Sequence, residues 1–392
     1  MAIPAPRRVY LHIGSPKTGT TFVQHTLHSH MSRLEPLGVY YPPPDRLAAH
    51  HDEARDLRGI RVDDGRYHHK NVPGSWDRMV ADLKRWDGDG AAVISSEILA
   101  FADRDTARRA VDSLQPAEIH VVVTMRDLAR QIPAAWQEIV KNRGTLSYEE
   151  YLAQVQDPAD PHGPRNMWDA QDPESMIERW APDLPAERVH LVTVPPRGQD
   201  PGVLWDRFVS VLGVGEVDLP PLRRPMNVSL GLAEAEVIRH LNYVTSEDRW
   251  RFYNKHVKHR IAQGVFAGTT KTDRLALPES MLEWVRNRTK EVQDYIRAGG
   301  YNVVGDLADL DIPEHVAGDA RSAVPEPERL AEAWRGAAEY LVRELADKSA
   351  SRKPAGAPRP PAAAPEPDSR LAAGAKRVER VGRRAAAAWR NR

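Results

Sequence analysis

Lys17 lies in a run whose residue types can hold an anion: His12-Ile13-Gly14-Ser15-Pro16-Lys17-Thr18-Gly19-Thr20-Thr21. The apolar stretch Val9-Tyr10-Leu11 precedes it, and a helical pattern begins near Thr20. A strand, a glycine-containing loop and a helix in that order aim several backbone N–H groups and a helix N-terminus at one point. Two other stretches carry chemistry. Ser95-Ser96-Glu97 follows the apolar run Ala91–Ile94. A carboxylate at the carboxyl end of a parallel strand lies on the ligand edge, so Glu97 is a candidate general base for a hydroxyl or amine. Its alternative role is to charge the first turn of a helix around Ile98–Phe101, worth about 0.3–1 kcal/mol. The histidines His12, His25, His28 and His30 are the competing bases; His12 falls within a strand, where a lone histidine is more often packed than catalytic. Met125-Arg126-Asp127 follows the run Ile119–Thr124, and its plain reading is a strand-end salt bridge.

The first loop resembles the phosphate loop G-x-x-x-x-G-K-[ST] but departs from it. Gly14 and Gly19 have the right spacing, yet Thr20 stands where the nucleotide-triphosphatase lysine belongs. The lysine comes earlier, as Lys17 beside Pro16. Pro16-Lys17-Thr18-Gly19-Thr20-Thr21 is similar to the 5′-phosphosulfate loop of sulfotransferases that use 3′-phosphoadenosine 5′-phosphosulfate (PAPS).

That resemblance implies a set of roles. Lys17 stabilises the oxygen bridging sulfur and phosphorus as the leaving group departs. Gly14, Ser15, Pro16, Thr18 and Gly19 form the loop, and Thr20 and Thr21 bind the 5′-phosphate through the helix start. Glu97 matches the members that use a glutamate base. Arg126 matches the arginine that binds the 3′-phosphate. The family places a serine eight residues later, where this chain has Ala134. Arg130 and Gln131 could compensate. So could Asn227 and Ser229 in the basic loop Arg223–Ser229, although either could simply cap the next helix. PAPS is the implied donor, with no metal. The acceptor is a small molecule, lipid or carbohydrate. Two other functions stay open: a P-loop kinase, opposed by the displaced Lys17 and the lack of an acidic strand end, and a non-catalytic protein binding a nucleotide or anionic glycan.

The elements that must position these residues alternate. Candidate strands are Val9–Ile13, Ala91–Ser95, Ile119–Thr124 and Val189–Val194, with helices Thr20–Met31, Trp76–Trp86 and Asp105–Ser113 between them. This predicts an α/β fold, a mostly parallel sheet with flanking helices; the resemblance implies its P-loop-like sulfotransferase form. Residues 36–75 read as a long loop, an acceptor-side lid. Residues 142–187 read as polar, anchored by Trp168 and Trp180. Leu230–Tyr243 and Glu279–Ala298 read as helices.

Of 392 residues, 41% are hydrophobic, enough for a sizeable core. Lys+Arg and Asp+Glu both number 55, so overall charge calls for no polyanionic partner, and no specific nucleic acid is expected. The absence of cysteine excludes disulfides and thiolate sites. No signal-peptide core or membrane span is legible, which predicts a cytoplasmic protein. The expected organisation is a catalytic domain over 1–312, then a linker and an amphipathic helix over 313–347. That helix, Arg329–Asp347, has Leu330, Trp334, Leu341 and Leu345 on one stripe. Residues 348–392 form a Pro/Ala-rich segment and a basic, disordered tail. Ser369–Arg392 carries eight Lys and Arg against Glu379 alone, enough for weak attraction to an anionic surface.

Overall fold

The computed structural model describes residues 8–44, 48–60, 72–88, 90–157, 168–214, 219–221, 229–246, 249–266, 275–312 and 324–351. Six strands form one sheet: β1 (Arg8–Gly14), β2 (Val39–Tyr40), β3 (Ala91–Ser95), β4 (Glu118–Met125), β5 (Val189–Thr193) and β6 (Asn302–Val304). Their order is β2-β3-β1-β4-β5-β6, and every neighbouring pair is parallel. The protein is therefore an α/β fold on a parallel sheet. The chain runs from β1 to β2 at the edge, returns to β3, then crosses to β4 on the other side of β1. That reversal puts the topological switch point at the carboxyl end of β1, where such sheets open a crevice.

The strands are buried on both faces, which explains their near-continuous apolar runs. Val9, Leu11 and Ile13 point to one face. There they meet Trp76 and Met79 of α3 (Ser75–Arg85), Ala107 of α4 (Arg104–Ser113), Ile177 and Trp180 of α7 (Pro173–Trp180), and Ile296 of α10 (Leu282–Gly299). Tyr10 points to the other face, toward Val23 and Leu27 of α1 (Thr20–Ser29) and Leu204 and Phe208 of α8 (Gly202–Val211). Helix α5 (Leu128–Lys141) follows β4, capped by the Asp127 side chain on the Arg130 N–H.

Residues 36–75 are not one long loop. Within them lie β2 and α2 (His51–Leu57), which Ala54 seals into the core. The polar stretch 142–187 also holds structure: α6 (Tyr148–Gln156), started by a Ser147–Glu150 capping box, and α7. Trp180 is fully buried, and the Trp168 ring lies 5.8 Å from that of Trp284. Helix α9 (Leu232–Val244) is followed by a π-helical segment, Tyr253–Val265.

The chain forms two compact units, Met1–Ala338 and Glu339–Arg392, and the boundary falls inside α11 (Pro327–Ser351). In the first unit, the buried positions of α11 are Ala333 and Ala337, whereas Trp334 is exposed. In the second, Leu345 is exposed. The stripe through Trp334 and Leu345 is thus not a buried face. The helix runs to Ser351, four residues into the segment read as unstructured. The rest of that segment, the basic tail and Asn227 lie outside the described residues. No helix among those described is long and apolar enough to cross a membrane.

Several histidines sit inside this fold. His12 is wholly buried, its Nδ1 2.7 Å from Ser95 Oγ and its Nε2 3.4 Å from Thr124 Oγ1. His50 accepts the Ser95 N–H on Nδ1 and donates Nε2–H to Pro42 O, which fixes its neutral tautomer. Burial brings His12, His50 and His190 down to about 4. Against an unfolded value of about 6.5, each is neutral when folded but protonated when unfolded between roughly pH 6.5 and 4. Their contribution is therefore complete above about pH 6.5 and lost on acidification, by up to about 1.4 kcal/mol per pH unit for each histidine. Urea midpoints measured from pH 7.5 to 4.5 should fall steeply below pH 6.5; a flat profile would show that these imidazoles are not held neutral.

Candidate functional site

The three chemically marked stretches converge because β3, β1 and β4 are adjacent and parallel. The Gly14 loop leaves β1, Ser96-Glu97 leaves β3 and Arg126-Asp127 leaves β4, all at one edge of the sheet. The loop is stitched down from below. The Ser15 N–H donates to Thr124 O at 2.9 Å, and the Thr18 hydroxyl bonds both Ser15 O and the Thr124 hydroxyl. The Ser96 N–H donates to His12 O at 3.1 Å, joining β3's exit to β1. The Thr18 hydroxyl is thus engaged within the protein, and its backbone is what it can offer a ligand.

Backbone conformation shapes the loop. Gly14 has φ +115°, and a β-carbon there would lie 3.4 Å from Cβ of Glu97, so loop and carboxylate are near neighbours. Lys17 is itself left-handed at φ 69°, a costly conformation for a residue with a side chain. Gly19, at φ +86°, precedes α1 and supplies no side-chain cap. The first N–H groups of a helix have no intrahelical partner, and here no side chain takes them. Thr20 and Thr21 open α1, and a helix start of this kind has the N–H groups that suit an anion.

Glu97 begins the short 3₁₀ turn Glu97–Phe101, so it does charge a first turn, while Ser96 makes the cap on the Ile98 N–H. Its carboxylate is also specifically held. Gln24 of α1 donates Nε2–H to Oε2 at 2.8 Å, and His51 Nε2 of α2 stands 3.7 Å from Oε1. Burial alone would raise the Glu97 pKa. His51, the Gln24 hydrogen bond, the turn's own N–H and Lys17 outweigh burial and lower it. The group is an ionised carboxylate at neutral pH, with about a quarter of its side chain accessible. That state suits a proton acceptor. His51 Nδ1 in turn meets Ser96 Oγ at 2.9 Å.

Lys17 Nζ pairs with Glu138 Oε2 of α5 at 2.6 Å. Burial works against the Glu138 charge, but Lys17, Lys258 and Lys141 overcome it and hold the carboxyl near 2. Arg126 does not make the expected salt bridge. Asp127 pairs with Arg130 instead, and Arg126 donates Nη2–H to Arg130 O at 2.7 Å. Burial, then Arg130, lowers the Arg126 pKa to about 10, and its Nε has no partner. Arg126 and Ser15 line a small pocket that includes Gln131, Gln171 and Thr289. Gln171 Nε2 and Thr289 Oγ1 are likewise buried without partners, while Gln131 bonds the Gln171 carbonyl. Ser229 lies against α5, its Oγ 3.4 Å from Gln137 Oε1, so it flanks the helix that carries Ala134.

Gln24, His51 and Glu138 escaped sequence reading. Gln24 alone left a local signal, one helical turn after Thr20. The other two reach the site from distant segments.

No family model matches the chain, and no curated protein matches it. Among solved structures, a sulfotransferase from Alicyclobacillus acidocaldarius aligns at 20% identity and a TM-score of 0.39, over 63% of this chain and 98% of that one. At that TM-score the likeness bears no weight, and the chemistry stands on the site's own residues.

Replacing Gly19 tests the loop. An added β-carbon would lie 2.5 Å from Leu204 Cδ2 at φ +86°, whereas at Gly59, φ +65°, nothing lies within 4 Å. Gly59→Ala should cost only the left-handed strain, about 1–2 kcal/mol. Gly19→Ala should cost more, by the overpacking against Leu204, about 1–3 kcal/mol. Equal losses in urea denaturation would show that α8 does not constrain the loop.

Proposed function

We propose that this protein is a PAPS-dependent sulfotransferase that moves a sulfuryl group to a hydroxyl or amine. One observation carries the reading: the Lys17 loop, the ionised Glu97 and the under-bonded Arg126 leave three adjacent parallel strands at the same edge. A cradle, a base and a buried cation are the three groups that transfer from a phosphosulfate nucleotide requires. The donor fits the residues present. The open N-terminus of α1 offers N–H groups from Thr20 and Thr21 to the 5′-phosphate, and the unpartnered Arg126 Nε supports a second anion, the 3′-phosphate. Arg130 and Gln131 lie beside it, on the helix where Ala134 provides no hydroxyl.

In this reading the acceptor's oxygen or nitrogen attacks sulfur as the bond from sulfur to the bridging oxygen breaks. Glu97 takes the acceptor's proton, held for that role between Gln24 and His51. Lys17 exchanges its bond to Glu138 for the bridging oxygen, where negative charge builds. 3′-Phosphoadenosine 5′-phosphate leaves as the other product. The residues divide the work along α5, with the nucleotide's 3′ end at Arg126 and the reacting end at Lys17.

The donor assignment is tested at Arg126. Arg126→Ala should weaken 3′-phosphoadenosine 5′-phosphate by about ten- to a hundredfold, the loss of a charge-assisted bond, and leave adenosine 5′-phosphate nearly unchanged. Equal weakening of both nucleotides by calorimetry would remove the 3′-phosphate role.

The base is tested by Glu97→Gln. Donor affinity should persist while turnover drops about 10²–10⁴-fold, measured as PAPS-dependent product release on an acceptor found by screening hydroxyl and amine compounds. Unchanged turnover at saturation would leave Glu97 a structural role and return the histidines as candidates.

A further inference from the structure

The C-terminal turn of α5 carries an excess of positive charge that the reaction at Lys17 does not use. Three lysines gather around one carboxylate. Glu138 Oε2 takes Lys17 at 2.6 Å, and Glu138 Oε1 accepts Asn142 Nδ2–H at 2.8 Å. Asn142 Oδ1 accepts Lys258 Nζ at 2.6 Å from the π-helical segment. Lys141, only 9% exposed, completes the group within electrostatic range of Lys17, Glu138 and Lys258. Arg55 of α2, itself paired with Asp52 at 2.6 Å, adds its charge at Lys258. Ion pairing does not balance such a group. Three amines share one carboxylate, and burial charges a solvation cost to each. In accord with this, burial and then Lys17 lower Lys141 to about 8, and Lys258 is lowered by burial. Clusters that keep cations under such strain are candidates for anion binding.

Position says which anion. Helix α5 starts at Leu128, beside Arg126, and ends at Lys141. At 1.5 Å per residue these ends are about 20 Å apart. The donor's phosphates have their own partners at the loop, the start of α1 and Arg126. Lys17 and Glu138 mark the reacting end, so Lys141 and Lys258 lie beyond it, where the π-helical segment packs with the Tyr253 hydroxyl on Lys141 O at 3.1 Å. We propose that the Lys141–Lys258 cluster is the acceptor's anchoring site and that the acceptor carries a negatively charged group, a carboxylate, phosphate or sulfate ester, near the atom that receives the sulfuryl group. The word acceptor rests on the sulfotransferase reading, whereas the anion site rests on the cluster itself.

Inorganic phosphate is the probe. It is titrated by calorimetry into protein saturated with 3′-phosphoadenosine 5′-phosphate, using wild type, Lys258→Gln, Lys141→Gln and the charge-conserving Lys141→Arg. The expected result is one phosphate bound per wild-type chain, about tenfold weaker in each Gln variant, as for one lost charge-assisted bond, and recovered in Lys141→Arg. Affinity for 3′-phosphoadenosine 5′-phosphate should stay within about twofold throughout, since those bonds are made elsewhere. Lys258 is partly exposed, so its variant keeps the test decisive if Lys141→Gln fails to fold. Absence of phosphate binding to wild type, or unchanged binding in the foldable Gln variants, overturns the site. A parallel loss of nucleotide affinity assigns the lysines to the donor and overturns the acceptor role. If wild type binds no 3′-phosphoadenosine 5′-phosphate, the sulfotransferase reading fails by itself, and phosphate titration of the nucleotide-free protein still decides whether Lys141 and Lys258 form an anion site.

Discussion

The site depends on a buried chain of hydrogen bonds across three strands. Ser95, His12, Thr124 and Thr18 form it, running from β3 through β1 to β4 and up into the loop. Each member is fully buried, so each bond replaces a water contact that the interior cannot supply. The chain fixes where the loop leaves the sheet, and with it the distance from Lys17 to Glu97. Burial lowers the His12 pKa to about 4, so this imidazole enters the chain neutral. His50, just before α2, accepts the Ser95 N–H on Nδ1 and donates Nε2–H to Pro42 O, which ties the start of α2 to the end of β3 beside His51.

Charge in the site is arranged by position more than by number. Glu97 stays ionised although burial opposes it, because a histidine, an amide, a turn N–H and a lysine all face it. Glu138 is likewise ionised against burial, held near 2 by three lysines. Lys17 pairs with Glu138 of α5 and acts electrostatically on Glu97, which follows β3. Lys17 is oriented by its bond to Glu138. Its left-handed backbone is consistent with that placement, since strain of this kind persists only where the surroundings determine it.

How much of this was legible follows from sequence separation. Ala91–Ser95 matched β3 to the residue, because a short apolar run bounded by polar residues has one reading. The loop was legible because Gly14, Pro16, Lys17 and Gly19 act through local backbone geometry. Strands β2 and β6 were not, since two or three residues carry no period. Helix α2 was hidden in a stretch rich in histidine and charge, and its buried face rests on Ala54 and Leu57. The α11 stripe misled because large apolar residues dominate a pattern, whereas Ala333 and Ala337 allow close approach and take the buried positions. The contacts of Glu97 with Gln24 and His51, and of Lys17 with Glu138, join residues 46 to 121 positions apart, and no local pattern encodes them.

The cations of this site are costly to the fold. Arg126 is buried with an unpartnered Nε, and Lys141 is buried beside two other lysines. Arg126 keeps one bond, to Arg130 O, and Lys141 feels the Glu138 charge, but neither makes a direct ion pair among the described residues. Both sit on or beside α5, one at each end, with Lys17 and Glu138 between them. A helix that carries an under-bonded guanidinium at its start and crowded amines at its end is least stable when empty and gains most from anions at both ends. An extended molecule with a phosphate at one end and a second negative centre past the reacting atoms meets that requirement. No single small anion does, because the two positively charged ends are about 20 Å apart along the helix. Under the proposed sulfotransferase reading, that requirement would be met by two partners that meet at Lys17, a donor reaching in from Arg126 and an acceptor reaching in from Lys141 and Lys258.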